Sequence, residues 1–206
     1  MNPIVLADDL AVGQYAAEII FAEIVKAREA GRQFVLGCPG GRTPRSTYNA
    51  LAEFIKSSKT DISHVTIAMM DEFLTNNADG THSNHAFEEH FSCARFAKLE
   101  IFDVLNAGAP DGGKIALANV RFPDAKDPDG YEEFLRNVGV DVFLMASGVS
   151  DGHVAFNPPG TARDARTRIV RIADETRNDN LGTFPDFKGI DEVPTHGVSV
   201  GPATMV

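Results

Sequence analysis

The chain has 206 residues, 43% hydrophobic and 23% charged, with a formal net charge of −10 at pH 7. That length sustains one well-buried core without requiring two domains. The acidity argues against broad nucleic-acid binding, which needs a basic face to displace counterions from phosphates, and no apolar run nears the roughly 20 residues that cross a bilayer. One small anion can still be held locally by backbone N–H groups and one or two arginines. The first residues, MNPIVLADD, lack the basic start and long apolar core of a signal peptide. Cys38 and Cys93 lack metal-ligand spacing. The expectation is a cytoplasmic protein with reduced thiols, a homo-oligomer being left open.

Asp8 and Asp9 suit the cap of a first helix, in which Ala17, Ile20, Phe21 and Ile24 recur at helical spacing before a stop at Gly31. Phe34 to Leu36 reads as a short buried strand running into Gly37-Cys38-Pro39-Gly40-Gly41-Arg42-Thr43-Pro44. Thr43 fits an N-cap and Pro44 the first position of a helix that buries Tyr48, Leu51, Ala52 and Ile55. A glycine-rich turn between strand and helix either cradles a phosphate or simply packs the two elements tightly, and its spacing matches neither the dinucleotide fingerprint nor the P-loop. Val65 to Met70 is a strand ending in Asp71-Glu72-Phe73. Those two carboxylates fit general base work or, equally, a pair of solvated loop acids.

A helix is expected from near Ser83, with Phe87 and Phe91 on its apolar face. His85 and His90, five residues apart, would not share that face, which argues against a metal site. Ile101 to Leu105 reads as a strand, Asn106 to Asp129 as loop, and a helix from Pro128 buries Tyr131, Phe134, Leu135 and Val138. Val142 to Ala146 reads as a buried central strand, broken at Ser147-Gly148 into a loop carrying Asp151, His153 and Asn157. Thr167 to Ile172 alternates like a half-exposed strand, Asp174 to Pro194 reads as a polar, turn-rich lid, and Gly197 to Val200 as a last strand without a closing helix. Strands alternating with helices define an α/β fold of three layers, a doubly wound, mostly parallel sheet with helices on both faces. In such sheets ligands sit beyond the carboxyl ends of the strands.

Six blocks in order, LGCPGGRTPRSTYNAL, MMDEF, SNHAFEEHF, GVSDGHVAFNPPGT, TRIVRIADETRNDN and VSVG, resemble the glucosamine-6-phosphate deaminase/isomerase family, whose fold is shared with 6-phosphogluconolactonases. The resemblance implies aldose–ketose isomerisation of an amino-sugar phosphate, coupled to loss of ammonia, with no metal or organic cofactor. The loop of Gly40, Gly41, Arg42 and Thr43 would hold the phosphate. Asp71 would carry the proton from carbon 2 to carbon 1, and His153, oriented by Asp151, would open the sugar ring. Glu72, Asn157 and Arg177 are further expected substrate contacts. Three departures bear on the substrate. Pro158 stands where the family usually has a glutamate completing the histidine's relay. Leu181-Gly182-Thr183 follows the TRNDN block where a phosphate-binding arginine usually lies, so Arg42 or Arg177 would have to replace it. The sequence also ends soon after Val200, before the stretch holding the family's late phosphate-binding lysine. Two other functions fit the same blocks: lactone hydrolysis, with His153 activating water, and non-catalytic sensing of a sugar phosphate.

Overall fold

The computed structural model describes residues 3–206. In chain order its elements are α1 (Asp9–Glu29), β1 (Phe34–Cys38), α2 (Arg45–Ser58), β2 (Val65–Met69), β3 (Asp71–Asn76), β4 (His82–Asn84), α3 (Cys93–Phe96), α4 (Asp103–Gly108), β5 (Val120–Arg121), α5 (Pro128–Val138), β6 (Val142–Phe143), β7 (Arg168–Arg171), α6 (Asp174–Thr183), β8 (His196–Ser199) and α7 (Pro202–Met205). A π-helical stretch, Ala97–Phe102, joins α3 to α4.

Strands covered on both faces read as unbroken apolar runs, and β1 and β2 are buried at every position. They lie at the centre of a parallel sheet of order β5-β2-β1-β6. Alternation sends Phe34, Leu36, Val65, Ile67 and Met69 to one face, where they pack with Ile20 and Ile24 of α1, Tyr48, Leu51 and Ile55 of α2, and Leu105 of α4. Val35 and Ala68 face the other way, against Tyr131 and Leu135 of α5. The result is an α/β fold with helices on both faces of the sheet. Each of these fully buried side chains contributes roughly 1.5–3 kcal/mol. The chain leaves β1 towards α2 on one face and enters β6 from α5 on the other, so the loops following β1 and β6 diverge and open a crevice at the carboxyl ends of these strands.

The remaining strands form a second, antiparallel sheet of order β4-β3-β8-β7. The two sheets meet at Met70, whose N–H donates to the Cys38 carbonyl (3.1 Å) and whose carbonyl accepts the Val200 N–H (2.8 Å). Asp71 and Glu72 therefore begin a strand, opposite Ser199 and Val198, and are not in a loop.

Several expectations change on this frame. Ile101 to Leu105 is helical: Ala97, Ile101 and Leu105 are all buried in the main core, a spacing of four that suits a helix and not a strand. No helix starts at Ser83. Residues 82–84 instead pair with 74–76 of β3, turns follow, and Phe91 is buried while Phe87 is 44% exposed. The stretch 106–129 contains β5, the parallel sheet's fourth strand. Only Val142 and Phe143 of the expected central strand are paired; β6 is a half-buried edge strand bonded to β1 alone. Val138 is 49% exposed. The polar segment after Asp174 begins as a ten-residue helix, with Asp174 and Glu175 at its N-terminus favoured by the helix dipole. Finally, Pro202 opens a one-turn closing helix.

Candidate active site

A cleft of about 170 Å³ opens where the loops after β1 and β6 part, with α6 as its outer wall. Its size admits one small molecule and excludes a polymer chain. Gly40, Gly41, Arg42, Thr43, Asp71 and His153 all line it.

The first wall is the turn after β1. Helix α2 starts one residue later than expected, at Arg45 after Pro44, and no side chain caps it. Thr43 is exposed on the cleft with its hydroxyl uncommitted among the described residues. Gly41 has φ +88°, a conformation that side-chain-bearing residues rarely adopt. Arg42 reaches across to α6: a β-carbon on Gly182 would lie 3.3 Å from its Nη2 atom. Its guanidinium thus rests over the position where the resemblance had led to the expectation of an arginine.

Asp71 forms the floor. The seam at Met70 fixes its backbone, and its side chain is buried among Phe73, Cys93 and Phe96 at the base of the cleft. Burial, reinforced by the neighbouring Glu72 charge and only partly offset by a hydrogen bond from Cys93, pushes its carboxyl up to about 7. Glu72 is turned away. Its carboxylate accepts the backbone N–H groups of Phe73 (2.9 Å), Cys93 (2.9 Å) and Ala94 (2.8 Å), and so caps α3, while burial still pushes its own pKa up.

The loop after β6 supplies the opposite wall. Gly148 N–H donates to the His153 carbonyl (2.8 Å), and Ser147 and Val154 form an isolated bridge, so the loop folds back on itself. Asp151 Oδ1 lies 2.6 Å from His153 Nδ1 and accepts the His153 backbone N–H at 3.0 Å. Burial would raise the Asp151 pKa, but these hydrogen bonds and the imidazole's charge outweigh it and hold the carboxyl below its usual range. With Nδ1 committed, Nε2 is the ring nitrogen available for proton transfer. Ala155, which also lines the cleft, sits at φ +53°, a strained backbone costing about 1–3 kcal/mol of the kind that gathers at functional sites.

Two other expected contacts lie outside the cleft. Asn157 is buried, its Nδ2 donating to the carbonyls of Val200 (2.7 Å) and Val154 (3.0 Å), which ties the loop to β8. Arg177 donates to the carbonyls of Val193 (2.9 Å) and Ile190 (2.6 Å) and to Asp174, so its guanidinium holds α6 to the segment before β8. The three histidines of 82–90 are dispersed. His82 packs against His196, whereas His85 and His90 flank Phe91. Among the described residues, no three His, Cys, Asp or Glu side chains gather as a metal site.

Sequence reasoning passed over Cys93, Asp179, Asn180, Thr183 and Phe184, all of which line the cleft. The TRNDN block and the residues after it held a signal for the α6 positions. Nothing local marked Cys93, because the helix beginning there was not recognised.

Comparisons with known proteins agree with this geometry. The family model described as glucosamine-6-phosphate isomerases/6-phosphogluconolactonase matches residues 7–180. A glucosamine-6-phosphate deaminase of Exiguobacterium sp. (strain ATCC BAA-1283 / AT1b) is 32% identical over 198 residues, covering 92% of this chain and 67% of that protein. Among solved structures, a monomeric glucosamine-6-phosphate deaminase superposes with a TM-score of 0.80 at 22% identity, over 100% of this chain and 78% of that one. A 6-phosphogluconolactonase from Shewanella baltica OS155 superposes with a TM-score of 0.61 at 19% identity, over 97% and 74% of the two chains. With a match across most of its length and the site residues gathered in one cleft, the chain belongs to the glucosamine-6-phosphate isomerase/6-phosphogluconolactonase family.

Proposed function

We propose that this protein is an amino-sugar-phosphate deaminase/isomerase, with glucosamine 6-phosphate as the first candidate substrate. The observation that carries the reading is a carboxyl group pushed to about 7 on the floor of a cleft that also holds the Asp151–His153 pair and the glycine loop. The phosphate docks at Gly40 to Thr43, where backbone N–H groups, the Thr43 hydroxyl and the Arg42 guanidinium supply donors. His153 Nε2 protonates the ring oxygen as the pyranose opens, and Asp151 stabilises the imidazolium form. Asp71 then removes the proton from carbon 2 and returns it to carbon 1, leaving an iminium at carbon 2. Water hydrolyses that iminium to the ketose, releasing ammonia. Glu72, Asn157 and Arg177 support the cleft walls without touching the substrate.

The test is ammonia release and ketose formation from glucosamine 6-phosphate, run beside hydrolysis of 6-phosphogluconolactone. Ammonia release that rises about tenfold per pH unit below pH 7 and then levels supports the reading, since the base must be ionised. Asp71→Asn is expected to abolish proton exchange at carbon 2 while phosphate-dependent binding survives. Lactone hydrolysis without ammonia release, or exchange that persists in Asp71→Asn, sinks it.

A further inference from the structure

We propose that Cys93 is a positioning residue for Asp71, its thiol donating to Oδ1 so that the other carboxylate oxygen is presented to the cleft. The Sγ to Oδ1 distance is 3.5 Å, within range for a sulfur donor, and among the described residues no other group donates to this carboxylate. Asp71 and Glu72 hold Cys93 together. The first accepts its thiol and the second its backbone N–H (2.9 Å), while Ser92 caps the same helix start through the Arg95 N–H. A side chain gripped at both ends by consecutive strand residues has little rotational freedom, and that fixes the direction from which the carboxylate is approached.

The thiol stays a donor throughout the working range. Burial, with the charges of Glu72 and Asp71 beside it, pushes the Cys93 pKa well above its ordinary value, so the proton remains on sulfur. The titratable groups around Asp71 are few: Glu72 from the same strand, Tyr48 of α2, Tyr131 of α5, Cys93 of α3, and His153 across the cleft. Both tyrosines stay protonated because burial pushes their pKa values up, and their hydroxyls donate elsewhere, to the carbonyls of Pro39 and Met69. Glu72 raises the Asp71 pKa, whereas Cys93 is the group that lowers it.

This inference rests on Asp71 as the base, so its test reads the carboxyl directly and does not depend on turnover. In protein labelled with carboxyl-¹³C aspartate, the Asp71 resonance is assigned by its loss in Asp71→Asn and titrated in wild type, Cys93→Ala and Cys93→Ser. Removing the donor in Cys93→Ala is expected to raise the Asp71 midpoint by about half a unit, and the stronger O–H donor of Cys93→Ser to lower it below wild type. An unchanged midpoint in Cys93→Ala overturns the proposal. So does a fall towards the ordinary carboxylate range, which would mean that the sulfur acts only by excluding water. Should Cys93→Ala fail to give a cooperative melt, Cys93→Ser carries the test alone, and a midpoint equal to wild type overturns it. A midpoint that moves in a protein turning over no sugar phosphate leaves the thiol contact standing and counts against the proposed function instead.

Discussion

A β-carbon at position 148 would fall 2.0 Å from Cε1 of the His153 imidazole. The Gly148 backbone does not require glycine, so the need for it is purely the ring lying against its α-carbon. Gly148→Ala is therefore expected to displace His153 and lower turnover by about a hundredfold, the usual scale for an ångström of misplacement, with the melting temperature down by only a few degrees. Steady-state assays beside a thermal melt check this, and wild-type turnover in the variant would refute the placement of the imidazole. Asp71, Asp151 and His153 were legible in the sequence because a DGH triplet and an acidic strand end carry recognisable chemistry. Cys93 was not. A cysteine signals its role only through what it touches, and its partner lies 22 residues away.

At the scale of elements, α6 and the loop after β6 are held together by one residue. Asp179 accepts both the backbone N–H of Ser150 (3.2 Å) and its hydroxyl, and it lines the cleft two residues before Leu181. This contact is solvent-exposed and worth little to the fold, about 1 kcal/mol or less. Its consequence for function is larger, because the same loop carries His153. Asp179→Ala is expected to reduce kcat/KM by about tenfold while the melting temperature stays within a few degrees of wild type. Equal kinetics for the two proteins would show that the loop holds its shape without α6. The helix itself was hard to see in advance. Asn, Asp, Thr and Gly are poor helix formers, and Arg177 holds the segment through carbonyls at Ile190 and Val193 that no local pattern announces.

For the molecule as a whole, Glu132 of α5 ties the back of the parallel sheet to the second sheet. It accepts the Thr167 N–H (3.1 Å) and hydroxyl (2.7 Å) just before β7, and the Thr204 hydroxyl (2.7 Å) of α7. Burial would raise its pKa, but these hydrogen bonds and Arg136 outweigh it and hold the carboxyl below 4.5. A depressed pKa in the folded state means stability that is present above pH 4.5 and lost as the pH falls through the folded-state value. Glu132→Gln is expected to cost about 1–2 kcal/mol at neutral pH, and the difference from wild type should narrow as both are acidified below pH 4. Urea melts across that range decide it, and a pH-independent difference would rule out the carboxylate's charge as the cause.

The apolar runs at 34–38 and 65–69, the helical spacing of α1, α2 and α5, and the ordered glycine and DGH blocks determined the α/β class, the family and the identity of the chemical groups, since each is a local property of side-chain order. Tertiary structure alone decided that the chain changes sheets at Met70, because extended backbone looks the same whichever partner it pairs with. It decided that Glu72, Asn157 and Arg177 spend their polar atoms on distant backbone groups. It also decided that burial beneath the cleft brings Asp71 to about 7, since desolvation depends on everything that surrounds a carboxylate and not on the residues beside it in the chain.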